Sequence, residues 1–288
     1  MRRASRGARI GEYMTVTNAV ETTMIWGTVS GASMVGMVIS LLLSVVLPIF
    51  LGIFIYKKTK AWVPAFFIGC GIFVGFAMIL EQICHAIVLT VTGSAIRDNI
   101  WLYAIYGGLA AALFEECGRW IAMKFCLKKH LTRENALMYG AGHGGIEAFL
   151  ILGMSSMSNL LTAAMINGGL MEKTMTALEP AQQEVTYHQL SVLWTTPAYQ
   201  FYLAPVERIS AIALQIALSI LVYSAVKTGR KLQLAAAFGL HFAVDFLTVI
   251  CAAAIPTWAL ELGLLLVVAV ICVVVYQLVY VQMAEKKA

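Results

Sequence analysis

Residues 33–56 contain no Asp, Glu, Lys or Arg. A stretch that long and apolar has few structural options. About 20 apolar residues in a helix span the hydrocarbon of a bilayer. Backbone polar groups in lipid must be satisfied internally, which leaves helices and closed barrels as spanning structures. Six further runs follow, at about 62–92, 100–127, 137–166, 205–226, 232–254 and 258–281. All are far longer than the ~10-residue alternating segments of a membrane barrel. The pattern therefore predicts an all-α, polytopic transmembrane helix bundle of seven spans, or eight if the N-terminal tail adds one.

Composition agrees. Only 12% of the 288 residues are charged and 60% are hydrophobic, whereas a soluble domain carries roughly 25% charged residues. The net charge of +5 belongs to loop lysines and arginines, and no nucleic-acid partner is expected. The loops sort by charge. KKTK (57–60), KKHLTREN (128–135), KTGRK (227–231) and the terminal EKKA are basic, while 93–99, 167–204 and 255–257 hold few positive charges. The positive-inside rule puts the basic set in the cytoplasm and the N terminus outside. Arg2, Arg3, Arg6 and Arg9 run against that rule. Residues 1–32 form a tail that is partly an over-long start if translation begins at Met14. Residues 33–288 form one bundle domain, with a catalytic core at about 100–254. The loop 167–204 is expected to hold short interfacial helices, and its Trp194, Tyr199, Phe201 and Tyr202 suit an aromatic belt.

The charged residues inside the spans carry the functional signal. Each costs about 2.5–3.5 kcal/mol in the middle of a membrane helix, so Glu115, Glu116, Arg119, Glu147 and Asp245 must face one another or water. Counted from the basic ends at 1.5 Å per residue, these groups, with His143 and His241, lie between roughly 9 and 20 Å deep. Glu115–Arg119, His143–Glu147 and His241–Asp245 are each spaced i, i+4, which places both members on one helical face. Three helices thus present polar stripes to a polar cavity expected in the cytoplasmic half. Glu81, His85, Glu207 and Arg208 lie nearer the other surface and read as an outer ion-pair lock. Gln215 falls back at the depth of the inner layer.

Two chemistries suit such a layer. In one, a carboxylate of the Glu115–Glu116 pair takes a proton from water and returns it to a leaving amine. His143 and His241 donate to the oxyanion, and Glu147 and Asp245 orient the two imidazoles. In the other, His143, Glu147, His241 and Asp245 hold a zinc ion with a position open for water. No HExxH motif occurs, since HGGIE has the pair spacing in a different order. The cofactor is accordingly either none or Zn.

FEECGR, GHGGIEA, ERISAIALQIALSILV and HFAVD, in that order, resemble the YhfC family of intramembrane metalloproteases. That family is similar to the CAAX-prenyl-protease-like and PrsW-like membrane proteases. The resemblance covers most of the chain, from about Glu81 onward. It implies that the first glutamate of the pair is the base. By motif order that is Glu115, but EECGR is one residue shorter than the EExxxR of the CAAX-like group, which leaves Glu116 open. The HxxxN/D motif of that group matches His241 and Asp245. His143 and Glu147 resemble its second motif.

The expected function is intramembrane hydrolysis of peptide bonds in membrane-bound or membrane-adjacent substrates, in the plasma membrane of a bacterium. The rivals are a proton-coupled transporter and an inactive scaffold. Buried Glu, His and Asp chains serve transporters as proton relays, but the chain has no repeat symmetry and no evident pair of broken helices.

Overall fold

The computed structural model describes residues 24–285. The arginines through Arg9 and the alternative start at Met14 lie outside them. Seven helices are long and apolar enough to cross a membrane: α1 Gly31–Thr59, α2 Pro64–Thr92, α3 Ile100–Cys126, α4 Arg133–Asn167, α7 Ala198–Thr228, α8 Lys231–Ala252 and α9 Thr257–Val281. Two shorter helices, α5 Leu170–Met175 and α6 Pro180–Thr195, occupy the long connection between α4 and α7. Among the described residues there is no strand. The chain is an all-α polytopic bundle.

Local chemistry sets the helix ends. Ser30, Asn99 and Thr132 accept from backbone N–H groups in the first turns of α1, α3 and α4, satisfying donors that a helix start leaves free. Pro64 and Pro180 occupy first-turn positions, where a missing N–H costs nothing. Lys60, at φ 57°, and Gly229, at φ 75°, end α1 and α7 in left-handed conformations.

The helices alternate in direction, so the basic segments 57–60, 128–135 and 227–231 collect at one end. The start of α1 lies at the other. Val29 N–H donates to Asn167 Oδ1 (2.8 Å), and Asn167 Nδ2 donates back to Val29 O (3.0 Å). Trp26 packs edge-on against Tyr187 and beside Trp194. The aromatic residues of the long connection therefore tie it to the entry of α1.

α7 is the central helix. Of its most apolar window 72% is buried within the protein, against 17–33% for the other spans. α4 lies between α7 and α2, and glycine permits that approach. A Cβ on Gly142 would collide with the carbonyl oxygen of Phe66, and one on Gly69 with that of Tyr139. On its other side, a Cβ on Gly144 would come within 3.0 Å of Gln215 Cβ. Small residues of this kind let membrane helices pack backbone to backbone. Large apolar side chains such as Phe67 (67% exposed) and Leu266 (68%) point outward. So much exposed apolar surface is tolerable only against lipid.

Candidate active site

The close packing of α4 between α2 and α7, with α3 and α8 alongside, brings the polar stripes together. Arg119 on α3 has no exposed surface. Its Nη1 donates to Glu116 Oε1 (2.7 Å), its Nη2 donates to Gln215 Oε1, and Nη2 lies 3.9 Å from Glu115 Oε2. Gln215 on α7 is the hub. Its Nε2 donates to Glu115 Oε2 (2.9 Å) and to Glu147 Oε2 (2.8 Å). One amide thus connects a guanidinium to two carboxylates from two other helices.

The two glutamates of α3 are held differently. Glu115 Oε2 lies 2.9 Å from His143 Nε2 on α4. Behind that ring, the Tyr139 hydroxyl lies 3.5 Å from His143 Nδ1. Glu116 Oε1 lies 2.8 Å from His241 Nδ1 on α8. His241 Nε2 lies 3.6 Å from Asp245 Oδ2. Each glutamate therefore has its own histidine, contributed by a different helix. The i, i+4 spacing does bring Glu115 near Arg119 and His241 near Asp245. It does not pair His143 with Glu147. Glu147 instead accepts from Gln215 and, through Oε1, from Arg208 Nη1 (3.1 Å).

A cavity of about 240 Å³ opens against this layer, and Glu115, Glu147, Gln215, His241 and Asp245 line it. Glu116, Arg119 and His143 do not, and all three are at most 2% exposed. The ion layer forms the floor of this cavity. The lining then continues past it, through Ile151, Glu207, Arg208 and Thr248, toward the ends of α4, α7 and α8 away from the basic loops. Glu207 and Arg208, expected as an outer lock, are part of this cavity, because the long Arg208 side chain reaches down to Glu147. The Glu81–His85 pair does form, at 3.2 Å, and His85 Nδ1 lies 2.8 Å from the Tyr106 hydroxyl. Neither residue lines the cavity.

The resemblance to intramembrane metalloproteases implies a metal. Imidazole and carboxylate are suitable zinc donors, but their placement here is not that of a ligand set. Among the described residues no three His, Cys, Asp or Glu side chains converge on one point. Of the four candidates, His143 is turned to Glu115 behind the cavity wall, and both oxygens of Glu147 are engaged by Gln215 and Arg208. The residues as placed do not fit a resident metal.

The family described as YhfC intramembrane metalloprotease matches residues 43–272. The chain belongs to the YhfC family. It is 41% identical over 222 residues to the Uncharacterized membrane protein YhfC of Bacillus subtilis (strain 168), an alignment covering 74% of this chain and 83% of that protein. No solved structure matches the chain. The range matched by the family, 43–272, spans the ion layer and the cavity. Four participants had a weak or misleading sequence signal. Tyr139 could have been found by its i, i+4 spacing from His143. Gln215 carries no charge, so the cost of burying charge does not single it out. Glu207 and Arg208 are displaced along α7 by about two turns from Gln215.

Proposed function

We propose that this YhfC-family protein hydrolyses peptide bonds of membrane-bound or membrane-adjacent substrates, with Glu115 as the base that activates water. One observation carries the assignment of the base. Glu115 borders the cavity, where water and a substrate carbonyl can reach it, while Glu116 is enclosed by Arg119 and His241. The family description, intramembrane metalloprotease, supports peptide hydrolysis as the reaction.

The geometry supports a role for each residue. Water in the cavity gives its proton to Glu115 as its oxygen attacks the scissile carbonyl carbon. Glu115 then passes that proton to the amine as the carbon–nitrogen bond breaks. His241 stabilises the oxyanion. Its Nδ1 is engaged by Glu116, which leaves the Nε2 side of the ring, near Asp245, for the substrate. A donor preset toward developing charge in a site sheltered from bulk water is worth about 10²–10³ in rate. His143 touches Glu115 from behind the wall and positions it. Arg119 holds Glu116 and Gln215, and so fixes the layer on which Glu115 rests. The basic residues at 57–60, 128–135 and 227–231 support an orientation with that end of the bundle in the cytoplasm.

Purified protein in detergent tests the reading, because transport has no meaning without two compartments. New N termini generated in a detergent-solubilised mixture of membrane proteins, identified by mass spectrometry, are the expected result, and they should survive treatment with a strong chelator. Absence of any cleavage would sink the protease reading. Cleavage lost on chelation and restored by Zn²⁺ would sink the metal-free one.

A further inference from the structure

A second polar concavity lies far from the ion layer, at the basic ends of the helices. The end of α1, the start of α2, the turn at 128–130 and the start of α4 meet in a groove of about 520 Å³. Lys58, Lys60, Trp62, His130, Arg133 and Asn135 line it. None of them has a part in the proposed chemistry.

The walls of the groove are fixed by hydrogen bonds. Lys60 ends α1 in the left-handed conformation, and its N–H donates to Tyr56 O (2.9 Å). Trp62 N–H donates to Asn135 Oδ1 (2.7 Å), and Asn135 Nδ2 donates to His130 O (2.6 Å). The Trp62 and His130 rings stack with centroids 4.1 Å apart. Arg133 is anchored twice, by Nε to Glu134 Oε1 (2.9 Å) and by Nη1 to Tyr280 O (3.1 Å). Its Nη2 has no hydrogen-bond partner among the described residues. The ammonium groups of Lys58 and Lys60, both exposed, form no ion pair among the described residues. Glu134, the one carboxylate lining the groove among the described residues, already faces Arg133. Lys57, Lys128 and Lys129 stand on the same segments.

Fixed donors and uncompensated positive charge point to an anion. The position specifies its kind. The groove lies where two spanning helices emerge, and a half-buried tryptophan in its wall favours the headgroup layer. Lysines at that level attract anionic lipids, and the attraction fades within a Debye length. A headgroup phosphate reaches this groove without leaving the bilayer. We propose that the groove binds the phosphate of an anionic phospholipid, so that one lipid seats the joint between α1, α2 and α4. The proposal does not depend on the protease reading.

The full-length protein in detergent, titrated with short-chain phosphatidylglycerol or phosphatidylcholine and followed by native mass spectrometry, tests it. Phosphatidylglycerol should bind at least about tenfold more tightly. Lys58→Gln with Lys60→Gln should remove about fivefold per lysine, the size of one cation's attraction at a membrane surface. Lys227→Gln with Lys231→Gln, on another basic loop, should leave the preference unchanged. Equal binding of the two lipids, or a preference that survives the Lys58 and Lys60 substitutions in protein that still elutes as folded, would overturn the proposal. Full competition by a few millimolar inorganic phosphate would assign the groove to a soluble anion and overturn it as well.

Discussion

His143 Nε2 on α4 lies 2.9 Å from Glu115 Oε2 on α3, and the imidazole is wholly buried while the carboxylate borders the cavity. The histidine thus acts on the glutamate from behind. His143→Ala should lower kcat by about 10²-fold with KM nearly unchanged, since it removes support for the base and no substrate contact. His143→Gln, which offers a donor at similar reach, should recover part of the loss. A raised KM with unchanged kcat would place His143 on the substrate instead.

Close approach of α4 to α2 makes Gly142 and Gly71 opposite cases. A Cβ on Gly142 meets the Phe66 carbonyl, whereas one on Gly71 has nothing within 4 Å. Gly142→Ala should destabilise the protein by about 1–3 kcal/mol through overpacking. Gly71→Ala should be neutral or stabilise by up to about 1 kcal/mol, because alanine favours the helix. Thermal unfolding in detergent measures both. Equal effects would contradict the packing described for α2 and α4.

Arg208 offsets two carboxylates, Glu147 and Glu207, beside the cavity. Arg208→Ala should cost about 1–3 kcal/mol, because it leaves the buried Glu147 without its cation. Adding Glu147→Gln should restore part of that stability, giving a coupling of about 0.5–3 kcal/mol in a double-mutant cycle. Additive losses would show that the two side chains do not interact in the folded protein.

The positions of the spans were legible because hydrophobic length is a direct physical requirement of the bilayer. α2 and α3 end within a residue or two of the expected bounds. α7 begins earlier than expected, at Ala198, because Pro197 sets its start and the aromatic residues around Tyr199 and Phe201 continue the helix. The charged layer was legible because charge in lipid demands a partner. Which partner was less so. Spacing of i, i+4 shows that two residues share a face, not that they face each other. His143 and Glu147 share a face of α4, yet one turns to α3 and the other to α7. Depth counted along the backbone also missed Arg208, whose side chain reaches most of a helical turn beyond its own Cα. Gln215 at the hub is neutral, and only the packing of α4 on α7 reveals its role.

The positive-inside rule applied to the basic loops predicts which side each loop faces. Cysteines introduced within 128–135 and 227–231 should react with an impermeant thiol reagent only from the cytoplasm, and those within 170–190 only from outside. The reverse labelling would invert the orientation assigned to the cavity.

If Glu115, and not its neighbour, activates water, glutamine at the two positions will have unequal effects. Cleavage rates of purified Glu115→Gln and Glu116→Gln proteins in detergent, on one substrate and relative to the unaltered chain, test it most directly. Glutamine keeps the shape and removes the base. Glu115→Gln should lose about 10²–10⁴ in rate, the contribution of a positioned general base. Glu116→Gln should lose less, because it retains an oxygen to accept from Arg119 and His241. A Glu115→Gln protein that cleaves at or near the original rate, or a Glu116→Gln protein that is the more impaired of the two, would contradict Glu115 as the base.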